Sequence, residues 1–275
     1  MKMTAKTCDE RFLSGADQYI AYLATPEGRL RLDLAIANVQ EFLPQPRAAG
    51  SLRALDLGCG TGETAMRLAQ LGVHVTLLDC SSSMLDMAKR AAQKEGVAKM
   101  TAVKQGDAAQ AANLFPARSF DLVVCHNLLE YVDDPGAVLG AAALVIRDSP
   151  ATVSILVRNQ AGEVFKAAIQ GGDLAAAENN LTAEWGRESL YGGSVRLFTP
   201  ASLQTMLRAA SLTVIAERGV RVISDYLPPQ VSRSAEYQRI LELERKLGSR
   251  RQFAAVARYT HYLARRADAV MDQER

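Results

Sequence analysis

Short apolar runs alternate with amphipathic stretches through the middle of the chain. Residues 53–57, 73–78, 101–104, 120–125 and 152–157 are rich in aliphatic and β-branched side chains and give way to glycine, acid or polar residues, as buried strands do. Between them, 63–71, 82–95 and 136–146 carry apolar positions at helical spacing, and Gly96 is a natural stop for the second. Thr199 and Pro200 form a favoured start for a helix over 202–210. Residues 212–216 and 220–223 read as two final strands with Gly219 between them. Alternating strand and helix patterns predict βαβ units, and right-handed crossovers put the C-terminal strand ends on one edge. The expected fold is α/β and Rossmann-like: a mostly parallel, seven-stranded twisted sheet with helices on both faces.

The flanks do not follow this rhythm. Residues 1–47 predict an N-terminal helical cap, with Leu30, Leu34, Ile36, Val39 and Leu43 on one helix after a break at Pro26 and Gly28. Arg29 and Arg31 lie near the start of that helix, the unfavourable end of the dipole for a cation, so each is either solvated or held by a ligand. Residues 48–223 form the expected core. Its segment 160–198, Ala-, Gly- and Glu-rich with Trp185 and Tyr191, predicts a helical insertion that covers a site. Residues 224–275 predict a C-terminal helical extension. Between Arg239 and Arg266 eight basic residues (Arg239, Arg245, Lys246, Arg250, Arg251, Arg258, Arg265, Arg266) face two acidic ones, Glu242 and Glu244. Tyr237, Phe253, Tyr259, His261 and Tyr262 are interleaved, a pattern shared by polynucleotide surfaces and by solvated helix faces.

The chemistry gathers at the strand ends. Ala54–Gly62 reads ALDLGCGTG, a strand, a glycine turn and a helix start. Gly58, Gly60 and Gly62 permit positive φ and close approach of a ligand to free backbone N–H groups. Glu63 stands where a dinucleotide fingerprint needs its third glycine, and the lysine of a phosphate loop is missing. Asp56 would repel a pyrophosphate and suits a cationic or amine-bearing ligand. Asp79 ends the next strand about 20 residues on, where α/β nucleotide sites put a carboxylate on ribose hydroxyls; Ser81 or Ser82 is free to cap the following helix in its place. Asp107 and Ala108 follow the third strand, and His126 and Asn127 the fourth, over the same edge.

Composition narrows the setting. Hydrophobic residues make up 48% of the 275, enough for a sizeable core, and the formal net charge of +2 says nothing by itself about nucleic acid. Cys8, Cys59, Cys80 and Cys125 form no C-x-x-C pair, which favours reduced thiols over a disulfide frame or zinc site and implies a cytoplasmic location. The polar start, MKMTAKTCDERF, does not read as a signal peptide, and no apolar run approaches a membrane span. No metal site is expected.

D-x-G-x-G-x-G followed by Asp79 resembles the class I S-adenosylmethionine-dependent methyltransferases over about residues 50–223. A closer resemblance, nearly end to end, is to the bacterial tRNA 5-carboxymethoxyuridine carboxyl methyltransferases. EGRLRLDLA, CHNLLEYVDDPGAVL, RGVRVISDYL and ARYTHYLAR carry it. The resemblance implies S-adenosyl-L-methionine as cofactor. Arg31 would contact its carboxylate, Gly58 and Cys59 would line it, and Asp79 would hold its ribose. Asp107 and Ala108 would border its adenine, and His126 would close the pocket; Asp56, Gly60 and Met84 complete the expected binding set. It implies a tRNA anticodon arm as partner, with a small-molecule carboxylate or hydroxyl compound as the alternative. Two departures stand out: Cys59 replaces a family glycine, which is harmless if its φ is negative, and Glu178, Glu184 and Glu188 replace a lysine cluster in the insertion. A carboxylate acceptor is already ionised and needs no base; Arg158 and Arg221 could orient it bidentately. A hydroxyl or amine acceptor would instead use His126 as base. A non-catalytic cofactor-binding protein and a nicotinamide oxidoreductase are the competing classes, the second disfavoured by the glycine spacing.

Overall fold

The computed structural model describes residues 15–45, 51–187 and 193–267. Cys8, Glu188 and Tyr191 lie outside them.

Five parallel strands come from the expected runs: β1 (Arg53–Leu57), β2 (His74–Asp79), β3 (Thr101–Gln105), β4 (Leu122–His126) and β5 (Thr152–Arg158). Two more, β8 (Leu212–Val220) and β9 (Tyr259–Arg266), complete a seven-stranded sheet ordered β3-β2-β1-β4-β5-β9-β8, in which β9 runs antiparallel to both neighbours. β1, β4 and β5 are buried almost throughout because helices cover both faces. The order reverses beside β1, leaving a crevice over the C-terminal ends of β1, β2 and β4, the usual ligand position in such sheets.

The helices start where their caps dictate. α1 (Ala16–Ala24) turns at Thr25 into α2 (Pro26–Gln40); the Thr25 hydroxyl accepts from the Gly28 N–H at 3.1 Å, and Pro26 occupies the first turn. A Cβ on Gly28 would lie 2.1 Å from the Tyr22 carbonyl oxygen, so the tight corner between these helices requires glycine. α3 (Glu63–Gln70) opens from Gly62, and α4 (Ser82–Lys94) is capped by Ser81, whose Oγ accepts from Met84 N–H at 3.2 Å. The short α5 (Ala111–Leu114) follows β3; α6 (Pro135–Val145), capped by Asp134, joins β4 to β5. The insertion holds α7 (Gln160–Phe165), a π-helical turn (Lys166–Gln170), α8 (Leu174–Asn180) and a small hairpin, β6 (Trp185–Arg187) and β7 (Ser194–Arg196). α9 (Pro200–Ala209) carries the expected Thr199 cap.

The C-terminal region departs from expectation. After α10 (Tyr237–Gly248) and α11 (Arg251–Ala254) the chain re-enters the sheet as β9, so 224–275 is not a purely helical extension. β9 is buried on both faces from Tyr259 to Ala264, which removes the alternation that marks a half-exposed strand. The two strands expected at 212–216 and 220–223 are the single β8, kinked by a register irregularity between Val214 and Ala216. Gly219 is not a turn: its Cβ would meet the Ala254 Cα at 2.7 Å, so glycine there admits α11 against the strand. Cys80 is disulfide-bonded, contrary to the expectation of reduced thiols, while Cys59 and Cys125 are free.

Candidate active site

A cavity of about 470 Å³ occupies the crevice, roofed by α1, α2 and the insertion. Every residue of the expected cofactor set lines it, namely Arg31, Asp56, Gly58, Cys59, Gly60, Asp79, Met84, Asp107, Ala108 and His126, and so do Arg158 and Arg221, whereas Arg29 and Gly62 do not.

The glycine turn forms the floor. Gly58, Gly60 and Gly62 have φ of +63°, +53° and +90°, which L-residues avoid. A Cβ on Gly58 would strike Leu128 at 2.5 Å, whereas one on Gly60 would meet nothing within 4 Å, so the backbone at Gly60 faces open space. Cys59 is absent from the positive-φ residues, so its side chain is unstrained, and burial followed by the nearby acids raises its thiol well above the usual range. Asp79 locks the turn: Gly60 N–H donates to its Oδ2 at 2.8 Å and Ser81 N–H to its Oδ1 at 2.9 Å. Asp107 accepts from Ala109 N–H at 2.9 Å, and Ala108 is buried beside it.

Asp56 behaves differently. It is 3% exposed, and its Oδ2 is buried without a hydrogen-bond partner. Burial, then the charges of Asp79 and Glu63, raises its pKa to about 8. An orphaned acceptor among acids is costly in the free protein and fits a bound cation with N–H donors.

The opposite wall is basic. Arg31 reaches in from α2, donating to Asn127 Oδ1 at 2.8 Å and Tyr19 Oη at 3.0 Å, with no carboxylate in ion-pair range among the described residues. Asn127 takes a left-handed φ of 51° to present that oxygen. Arg221, also left-handed at φ 61°, donates from Nε to Asp225 at 2.8 Å and from Nη1 to Tyr22 Oη at 2.7 Å. Arg258 pairs with Glu163 at 2.8 Å, and Arg158 lies 3.4 Å from the same carboxylate. The guanidiniums of Arg31, Arg221 and Arg258 sit 5.9–6.0 Å from the centre of the Tyr259 ring. Burial would raise that phenol; Arg221, Arg31, Arg158 and Arg258 outweigh it and hold its pKa near 8. Sequence reasoning missed Tyr19, Tyr22, Lys166, Asp225, Arg258 and Tyr259 as site residues, because the last two were read as part of a surface tail.

His126 lies at the end of β4, and its Nε2 is 2.7 Å from Ser154 Oγ. Burial, then His261 and Arg31, pushes its pKa well below the usual histidine range, so it is neutral at pH 7.

Three of the five tail aromatics are not on the surface, whereas Tyr237 is half-buried and Phe253 is exposed. Tyr259, His261 and Tyr262 are core residues, Arg258 is buried in the cavity wall, and Arg265 and Arg266 belong to β9. Arg239, Arg245, Lys246, Arg250 and Arg251 remain exposed on or beside α10 and α11. In the insertion, Glu178 and Glu184 are exposed. No helix among the described residues is long and apolar enough to cross a membrane.

Comparison with known proteins agrees with this architecture. Residues 54–149 match the family described as a methyltransferase domain. The tRNA 5-carboxymethoxyuridine methyltransferase of Escherichia coli (strain K12) is 28% identical over 249 residues, covering 88% of this chain and 90% of that protein. The ubiquinone biosynthesis O-methyltransferase of Aeromonas salmonicida (strain A449) is 32% identical over 171 residues, covering 61% and 66%. Among solved structures, a SAM-dependent methyltransferase from Thermotoga maritima, described as a possible histamine N-methyltransferase, superposes with a TM-score of 0.61 at 15% identity over 94% of this chain and 99% of that one, a likeness of fold.

Proposed function

We propose that this S-adenosylmethionine-dependent methyltransferase esterifies a carboxylate, that of 5-carboxymethoxyuridine at the wobble position of tRNA. The observation that carries the proposal is the segregation of charge within one cavity. Asp56, Glu63 and Asp79 lie together in its lining, with Asp107 after β3; Arg158, Lys166, Arg221 and Arg258 line it around Tyr259, with Asp225 paired to Arg221. The acidic cluster suits a cofactor bearing a sulfonium and an ammonium group, the basic cluster an anionic acceptor.

The residues present fit the cofactor. Asp56 Oδ2 offers the unused acceptor for its ammonium, Gly60 the open floor, and the oriented Asp79 carboxylate a seat for ribose hydroxyls. Asp107 and Ala108 would border its adenine, with Gly58, Cys59 and Met84 packed along it and His126 closing the pocket. Arg31, with no carboxylate partner among the described residues, would hold its carboxylate. When bound, the cofactor supplies an electrophilic methyl group.

The chain's part is alignment and exclusion of water. A carboxylate acceptor is ionised at pH 7, so no residue has to remove a proton. Arg158 and Arg221 would orient it, held in place by Glu163 and Asp225. A hydroxyl or amine acceptor, the reading favoured by the O-methyltransferase relatives, would need a base. His126 is badly suited to that task, because its Nε2 is engaged by Ser154.

The end-to-end similarity to the E. coli tRNA enzyme supports tRNA as the carrier of the carboxylate. The exposed cations of α10 and α11 would meet the anticodon arm. Mass spectrometry of tRNA nucleosides from a strain lacking this protein tests the reading. Free 5-carboxymethoxyuridine should accumulate at the expense of its methyl ester; an unchanged nucleoside profile would move the acceptor to a small molecule.

A further inference from the structure

Behind His126 runs a line of buried polar side chains that binding of cofactor and acceptor does not use. Ser154 Oγ, on β5, lies 2.7 Å from His126 Nε2 and 2.7 Å from Nε2 of His261, on β9. His261 Nδ1 in turn lies 3.1 Å from Nδ2 of Asn38, on α2. Ser154 and His261 are fully buried and Asn38 nearly so. The two imidazoles meet edge to face, with centroids 5.1 Å apart. Desolvating these polar groups costs free energy that aliphatic side chains would not, so the arrangement calls for a purpose.

Proton counting gives the line a direction. The Asn38 Nδ2 group can only donate, so His261 Nδ1 is an acceptor and the His261 proton sits on Nε2. His261 Nε2–H then donates to Ser154 Oγ. A serine hydroxyl has one proton, and with an oxygen lone pair occupied by His261 it gives that proton to His126 Nε2. His126 must therefore carry its own proton on Nδ1, the ring nitrogen left for the cavity that His126 lines.

We propose that Asn38, His261 and Ser154 are positioning residues that fix the tautomer of His126, so that it presents an Nδ1–H donor to the cavity and never a basic nitrogen. The functional part rests on the methyltransferase reading: a donor at that place can hold an oxygen or nitrogen acceptor of the cofactor, and cannot deprotonate an acceptor substrate. Both rings stay neutral, since burial, joined by Arg218, lowers His261 to about 3. A relay of this kind makes one ring's tautomer depend on an amide two side chains away.

The protein has three histidines, His74, His126 and His261, so its ring nitrogens can be resolved by two-bond ¹H–¹⁵N correlation spectra of ¹⁵N-histidine-labelled protein. At pH 7 the spectra should show His261 protonated on Nε2 and His126 on Nδ1, without any ligand. Ser154→Ala should release His126 into a mixture of tautomers, leave His74 unchanged, and weaken S-adenosylhomocysteine binding several-fold by calorimetry. A wild-type His126 protonated on Nε2, or in mixed tautomers, would overturn the inference whether or not the Ser154 variant folds. A Ser154→Ala spectrum identical to wild type would overturn it as well. Absence of methyl transfer to any tested acceptor would count against the functional reading and leave the tautomer assignment intact.

Discussion

Replacing Asp56 by Asn separates stability from binding. The side chain keeps its shape, loses its charge, and leaves the backbone of β1 untouched. In the free protein the ionised carboxylate is unfavourable: it is buried, one oxygen has no partner, and Asp79 and Glu63 lie close. Its pKa of about 8 stands well above the usual aspartate value of about 3.9. A group whose folded pKa is raised contributes stability fully below its unfolded pKa and loses it as pH rises through the folded one. At pH 7 about three pH units of that penalty have accumulated, which at about 1.4 kcal/mol per unit is roughly 4 kcal/mol. Asp56→Asn should recover part of this, on the order of 2 kcal/mol after allowing for the new amide's own desolvation. The wild type should lose stability between pH 4 and 8, and the variant should lose less. Affinity should move the opposite way. Losing a charge-assisted hydrogen bond to the cofactor's ammonium should cost about 1.5–3 kcal/mol, roughly 10- to 100-fold in Kd. Wild-type binding at pH 7 should also release close to one proton, seen as a buffer-dependent calorimetric enthalpy. Denaturant titration and calorimetry of both proteins make the test. A variant that is less stable, or that binds S-adenosylmethionine as tightly as wild type without proton release, would show that Asp56 does not face the cofactor.

Asp79→Ala should weaken S-adenosylmethionine binding by roughly 2–4 kcal/mol in calorimetry and also lower the melting temperature, since the N–H groups of Gly60 and Ser81 lose their acceptor. Arg31→Met should lose affinity for S-adenosylmethionine but not for adenosine; an unchanged ratio between the two would remove Arg31 from the carboxylate. Absorbance titration should reveal one phenol ionising near pH 8 that disappears in Tyr259→Phe. Because that pKa is depressed, its contribution to stability is present above the unfolded value of about 10 and is lost as pH falls through 8. Arg250→Glu with Arg251→Glu should flatten the salt dependence of tRNA binding; binding that is already independent of salt would take α10 and α11 out of tRNA recognition.

The first half of the chain was legible because its signals are local. β1, the glycine turn and Asp79 lie within 27 residues, and β2 and β4 end in Asp79 and His126, which line the site. The arginine cluster was legible only in part: Arg158 and Arg221 were paired from sequence, but Arg258 was not, because it joins them only when β9 slots between β5 and β8. β9 itself was hidden: a strand buried on both faces between antiparallel neighbours has no period-2 pattern, and its basic, aromatic sequence looks like a surface. Tyr259 and His261, counted as aromatics of a nucleic-acid surface, turn out to stand at the centre of the arginine cluster and of the polar line behind His126.

Methyl transfer from labelled S-adenosylmethionine, with purified protein and tRNA from cells lacking it, tests the central claim most directly. Label should enter the tRNA and, after nuclease digestion, appear in the methyl ester of 5-carboxymethoxyuridine, from which mild alkali releases it as methanol. Label that stays out of tRNA and enters a phenolic or amine metabolite in an alkali-stable bond would contradict the account.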